Sequence, residues 1–403
     1  MRVTWIQVED LVGHELRQAR EEGKDVEAIE RRWLSAGGAP APARGASQEP
    51  APAELRALAA ELLDELAALP SPLADREPEG FDQILALAEG EAGRDEPRDL
   101  TGAIKGAWLG RAVGCVLGKP VENVQREGIR AILEATGRWP LDRWFTAVGL
   151  PEEVSERHPW NRASRPTSLE ENIDGIAEDD DLNFTMLAVA LLERHGAGFA
   201  TVDVAKHWLD FLPPGRIFTA ERVAQRNLLL GLLPPATATY RNPFREWIGA
   251  RLRVDVYGWA AAGEPVEAAR LAWEDARLSH TANGVYAAMW MAAAHASSLV
   301  DSSSGRAVDA GLAVIPAGSR LAEAIRAARE LASSAAEWEA VVDELEAQYG
   351  HYHWVHAINN TALVAAALVR FDGDFDGAVC GVVQAGLDTD TNGAAVGSIL
   401  GAQ

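Results

Sequence analysis

Apolar and polar positions along this chain repeat with the period of helices almost throughout. Residues 9–18 and 26–34 mix apolar and charged positions at helical spacing, and Leu55, Leu58, Leu62, Leu66 and Leu69 follow one another at three- and four-residue steps. These patterns predict amphipathic helices, the third stopped by Pro70-Ser71-Pro72. Residues 37–46, rich in Pro, Ala and Gly, show no packing pattern and are expected to form an exposed linker. An acidic, proline-containing segment then runs to about residue 98. Because amphipathic helices bury their apolar face, these early helices are expected to pack on the rest of the chain rather than to recruit a partner.

From Leu100 the texture changes. Apolar residues at 104, 108, 109, 112, 113 and 116 predict a helix, with glycines repeated on its faces and Thr101 as its cap. Each interior glycine costs a helix about 1 kcal/mol against alanine, so this helix is expected to lie very close to another backbone. Residues 123–178, rich in Pro, Trp, Arg and Glu without a clear period, are expected to form a long loop. Beyond them the period is helical again. Residues 268–280 and 285–295 read as a helix pair broken at Thr281-Ala282-Asn283-Gly284, and 360–370 and 375–385 read as two more helices. Strand signals are scarce and no internal repeat stands out. The expectation is an all-α fold of a dozen or more helices, with residues 1–98 as a helical extension and residues 99–403 as the main domain.

Composition narrows what such a fold does. Sixty acidic residues stand against 37 basic ones, a net charge of −23, and a field of that sign disfavours nucleic acid and anionic membrane. The apolar share of 48% supports a sizeable core. Only Cys115 and Cys380 are present, which offers neither a disulfide framework nor a cysteine zinc site. The first ten residues lack a signal-peptide layout, and no apolar run approaches the roughly 18 residues that read as a membrane span. A cytoplasmic location is expected.

The candidate chemistry lies in two acidic clusters of one design, each where a loop becomes an apolar helix. One is Glu178-Asp179-Asp180-Asp181-Leu182-Asn183-Phe184-Thr185; the other is Asp388-Thr389-Asp390-Thr391-Asn392. Asp, Thr and Asn are good helix caps, and a helix N-terminus favours carboxylates. Three adjacent aspartates nonetheless repel one another, which a bound cation would relieve. If the two helix starts face each other, Asp179, Asp180, Asp181, Asp388, Asp390 and Thr391 converge as oxygen ligands for two hard cations, Mg²⁺ or Mn²⁺ rather than zinc or copper. His280 and Asn283 sit at a helix break where they can face a cleft, although a histidine near a helix C-terminus is more often simply a favourable partner of the helix dipole. Trp160, Trp247, Trp354 and Tyr286 can stack on a base or sugar, although lone aromatics more often belong to a core.

In this order the motifs resemble those of the ADP-ribosylglycohydrolases, including the dinitrogenase-reductase-activating glycohydrolases, over roughly residues 100–403. Gly102 through Gly114, with Leu117-Gly118-Lys119-Pro120-Val121-Glu122, is similar to the family's opening helix and glutamate. Asp179 to Thr185 resembles its Thr-Asp-Asp-Thr-Gln-Met-Thr motif, Ser279-His280 with Asn283-Gly284 its histidine turn, and Asp388 to Asn392 its closing Asp-x-Asp-Thr-Asn motif. The resemblance implies a single large orthogonal helical domain with a binuclear Mg²⁺ or Mn²⁺ site. It also implies hydrolysis of an N- or O-glycosidic bond of an ADP-ribosylated protein or a small ribosylated molecule. Carried over by position, Asp180, Asp181, Asp388, Asp390 and Thr391 are metal ligands, with Asp179 where the family has threonine. Glu122 is the acid/base or a mobile metal-linked carboxylate, with Asp180 and Asp388 also catalytic; Gly249, His280, Asn283 and Asn392 contact substrate. Besides Asp179, the sequence departs from the family in three places. Cys115 replaces an aspartate of the first motif. The Gly-Asn-Gly-x-x-Met-Arg segment appears as Trp247-Ile248-Gly249-Ala250-Arg251-Leu252-Arg253. The chain stops soon after the closing motif, where the N-terminal helices could replace a missing helix. Two other functions remain open on the residues alone: a non-catalytic nucleotide-binding protein and a two-metal phosphohydrolase.

Overall fold

The computed structural model describes residues 2–42, 45–90 and 99–403. Among them the fold is all-α, with no strand and only two isolated β-bridges, Ala88 to Pro316 and Trp247 to His356. At its centre lies the helix Ala282–Ser298, with every residue from Asn283 to Ser298 buried. It has no polar face, as expected of a helix surrounded by others. Helices Pro265–Ala276 and Ala357–Arg370 pack around it in one continuous apolar core.

The glycines of the opening helix, Leu100–Gly118, face those of the closing helix, Thr389–Ala402. A Cβ on Gly106 would lie 1.9 Å from the Gly401 carbonyl oxygen, one on Gly110 2.0 Å from that of Gly397, and one on Gly114 2.0 Å from that of Gly393. The reciprocal Cβ positions on Gly393, Gly397 and Gly401 meet the carbonyls of Gly114, Gly110 and Gly106 at 2.2 to 2.5 Å. The two helices therefore run antiparallel with their backbones in direct contact. Fixed carbonyls cannot move aside as side chains do, so the contact sets the register of the pair. The expected close backbone approach is met.

The early helices fall at Val8–Glu21, Glu27–Ser35 and Ala53–Ala68. Leu11, Leu16, Trp33, Leu62 and Leu66 form a second core with Ala220, Val223, Phe244 and Trp247 of the main domain. Polar contacts reinforce it: Arg245 donates to Glu15 (2.9 Å) and Glu22 (2.8 Å), and Gln18 to Glu246 (2.9 Å). The extension thus packs on the domain.

Some local expectations change. Within 123–178, Arg126–Ala135 is a helix burying Ile129, Ile132 and Leu133; its apolar spacing is obscured by its neighbours' composition. Asp99, not Thr101, caps the opening helix, its carboxylate accepting from Gly102 N at 3.2 Å. The linker is not wholly exposed, since Ala41 and Pro42 are half-buried. Residues 43, 44 and 91–98 lie outside the described part, including the end of the acidic segment beside the expected 98/99 boundary.

Candidate active site

The antiparallel pairing brings the exit of the opening helix beside the start of the closing one. The hydroxyl of Thr389 donates to the Gly118 carbonyl at 2.8 Å, and a Cβ on Gly118 would meet Asp390 N at 2.3 Å. Gly386 and Leu387, with φ of 85° and 62°, turn the chain into this position. A leucine in the left-handed region is held there by its surroundings, as backbone strain at functional sites commonly is. Asn360 steadies the turn, accepting from Asp388 N at 3.2 Å and from Asn392 Nδ2 at 2.7 Å.

The other acidic cluster begins the helix Asp180–His195. Asp179 caps it, one oxygen accepting from Asp181 N at 2.9 Å while the other holds Lys119 Nζ. Both its oxygens therefore already have partners, and Lys119 offsets the charge that a threonine would not bring. Behind the cluster lies Arg111, 1% exposed. It donates to the Asp181 carbonyl at 2.6 Å and to Asp255 at 2.8 Å, and Asp255 lies 3.1 Å from His295. This buried cation fixes the backbone of the acidic turn from below.

The clusters meet. Thr391 Oγ1 donates to Asp181 Oδ2 at 3.1 Å. Ligand atoms of Glu122, Asp388 and Asp390 lie within 4.8 Å of one another, as do those of Cys115, Asp179 and Asp181. Burial pushes the carboxyls of Asp180, Asp181 and Asp388 well above the usual range, and repulsion from the neighbouring aspartates adds to it. Asp390 rises to about 6 by burial and the charge of Asp179. Glu122 is pushed well up by burial and by Asp390, and its Oε2 accepts from Asn161 at 2.7 Å. The Cys115 thiol is raised by burial and the same carboxylates, so it stays protonated. Carboxylates crowded until their ionisation is disfavoured are a donor set suited to a hard divalent cation, whose charge would offset their repulsion.

These groups line one end of a cavity of about 700 Å³, within the usual size of ligand sites. Glu122, Asp179, Asp180, Asp181, Asp388, Asp390 and Thr391 all reach it, and so does Gly249. His280, Asn283 and Asn392 do not. His280 is 1% exposed, with Nδ1 2.8 Å from Ser279 Oγ in a buried network with Arg253 and Glu221. Asn283 donates to Glu246 at 3.1 Å and accepts from Leu321 N at 3.0 Å. Asn392 accepts from Arg251 at 2.5 Å. All three stand behind the cavity wall, bracing the backbone. Trp160 is buried against Phe145, and Tyr286 donates to the Pro78 carbonyl at 2.5 Å, whereas Trp247 and Trp354 line the cavity.

Several cavity residues went unforeseen. Glu221 pairs with Arg253 at 2.7 Å, and its carboxylate lies 2.1 Å from where a Cβ on Gly249 would be. Burial and Asp275 push Glu221 up against the pull of Arg253. Lys119, Asn161 and, from the extension, Trp5, His14 and Arg17 also line the cavity. Lys119 lies within the opening motif but was assigned no role there, and the others carry no motif.

A family model described as ADP-ribosylglycohydrolase matches residues 96–403. A solved structure titled "ADP-ribosylglycohydrolase-related protein complex" is similar at 20% identity, covering 75% of this chain and 88% of that one, with a TM-score of 0.45. No curated protein matches. No helix among the described residues is long and apolar enough to cross a membrane. With a match over three quarters of its length and acidic clusters that could hold metal, the chain belongs to the ADP-ribosylglycohydrolase family, whose members are glycosidic hydrolases.

Proposed function

We propose that this protein is a metal-dependent hydrolase that cleaves the N- or O-glycosidic bond at the anomeric carbon of ADP-ribose in an ADP-ribosylated protein or small molecule. The observation that carries this reading is the meeting of two carboxylate clusters with Glu122 at one end of a single cavity. Asp180, Asp181, Asp388, Asp390 and Thr391 would hold two Mg²⁺ or Mn²⁺ ions. Asp179 joins them only by releasing Lys119. When bound, such ions supply Lewis-acid polarisation of water and of ribose hydroxyls.

The chain's own groups do the rest. Hydrolysis breaks the bond from the anomeric carbon to the leaving nitrogen or oxygen, forms one to a water oxygen, and moves a proton from that water to the leaving group. Glu122 is placed to carry the proton. Asn161 fixes one of its oxygens, and its burial among carboxylates favours the protonated form needed to donate. Arg111 and Lys119 hold the acidic turn in place while charge develops.

The test is a panel of N- and O-linked ADP-ribosyl substrates incubated with the protein and Mg²⁺ or Mn²⁺. Release of ADP-ribose is expected from at least one substrate and is expected to stop in EDTA. No release from any, beside a working control enzyme, would overturn the reading; inorganic phosphate in place of ADP-ribose would indicate phosphoryl transfer.

A further inference from the structure

The cavity has a second end, and residues that precede the family-matched segment build part of it. Trp5, His14, Arg17, Ala41 and Pro42 line it together with Trp247, His353 and Trp354 of the main domain. Trp5 is held there: its φ is 68°, its N–H donates to the Gly45 carbonyl at 2.6 Å, and its ring packs edge-on to Phe244 at 5.5 Å. Trp247 stacks on His353 with ring centroids 4.2 Å apart and planes within 13°. Trp247 is itself buried beneath these contacts, and the half-buried rings of Trp5 and Trp354 offer the aromatic surface that suits a flat heterocycle.

Its charge is distinctive. Of the lysines and arginines lining the cavity, Lys119 is paired with Asp179 and Arg216 with Glu178. Arg17 makes no hydrogen bond or close ion pair among the described residues. Its charge acts on Glu21, one turn along the same helix, without a close ion pair between them. Beside it His14, 6% exposed, has neither ring nitrogen hydrogen-bonded. A half-buried free guanidinium and a buried imidazole with unmet donor and acceptor sites, both on a cavity wall, are groups a ligand would satisfy.

We propose that the N-terminal extension is part of the substrate site, with Arg17 binding a phosphate of a nucleoside-diphosphate moiety whose base lies against Trp5 and Trp354. This rests on the hydrolase reading for the identity of the far end of the substrate, where the carboxylates stand. It also accounts for the altered segment at Trp247-Ile248-Gly249: Trp247 packs against the extension's Trp5 and His14, so this recognition wall is shared between the two regions.

The test is calorimetric titration of ADP, and separately adenosine, into the full-length protein with saturating Mn²⁺, comparing wild type, Arg17→Ala and Arg17→Lys. Thermal unfolding verifies that all three fold. Wild type is expected to bind ADP. Arg17→Ala should weaken ADP roughly 10- to 100-fold, the range of a charged hydrogen bond, with adenosine unchanged and Arg17→Lys intermediate. Equal ADP affinity in wild type and Arg17→Ala, or no ADP binding by wild type, would overturn the proposal. Arg17-dependent ADP binding without cleavage of any ADP-ribosyl substrate would uphold it and count against the hydrolase reading alone.

Discussion

The two ends of the cavity are made in different ways. The carboxylate end comes from two short runs, 179–181 and 388–391, each at a helix start, brought together by a glycine-to-glycine helix contact. The aromatic end is assembled from Trp5, His14 and Arg17 of the extension, Trp247 and the 353–355 turn. No two of these pieces adjoin in the chain. Chemistry that needs several oxygens within a few ångströms leaves a compact signature, because neighbouring residues can supply them. A recognition wall needs only surfaces that face each other, and those are set by packing.

The sharpest way to separate the ends is Asp390→Asn, which keeps the size of the side chain and removes its charge. It should lower kcat/KM for a cleaved substrate by roughly 10³-fold or more, since loss of even a supporting contact in a metal site costs about 10- to 100-fold. Steady-state kinetics at saturating Mn²⁺ measure it, and activity within tenfold of wild type would place the chemistry elsewhere.

A second perturbation acts on the frame of the carboxylate end. In Gly110→Ala the new methyl meets the Gly397 carbonyl 2.0 Å away, and a backbone carbonyl yields little. The expected loss is about 3 kcal/mol in urea unfolding, at the upper end of ordinary overpacking. Gly215→Ala, with nothing within 4 Å of its Cβ, should stay within about 0.5 kcal/mol. Similar losses in both would mean the two backbones are not in fixed contact.

The third perturbation acts on the helix that carries Arg17, and its effect shows only as pH rises. Burial and the nearby Glu246 push Glu21 up to about 7 from 4.5. Between those values the folded chain keeps a proton that the unfolded chain has lost, so stability falls as pH rises through this window and then levels. Glu21→Gln removes that penalty. It should stabilise the protein by up to about 3 kcal/mol at pH 8 and much less at pH 5. An equal gain at both pH values, read from urea unfolding, would refute the assignment.

The helices, the glycine contact and the position of the acidic clusters were legible because each rests on local spacing: four-residue glycine steps, three- and four-residue apolar steps, and carboxylates beside a helix start. His280 and Asn283 show where that legibility stops. The sequence marks their helix break, but which side of the break faces the cavity depends on Glu246, Arg253 and Leu321 packing behind it. Arg111 was hidden in the same way. Within an apolar glycine-rich helix it gives no sign that Asp255 and the Asp181 carbonyl, 144 and 70 residues away, hold it. Arg17 lies on an ordinary amphipathic helix, and only the docking of the extension turns it toward the cavity.

The most direct test of the central claim, that the carboxylate end holds divalent cations and the aromatic end does not, is a Mn²⁺ titration of metal-free protein. Wild type and Arg17→Ala should each bind two ions per chain, and Asp390→Asn should lose at least one of them. No Mn²⁺ binding by wild type, or identical binding by Asp390→Asn, would contradict it.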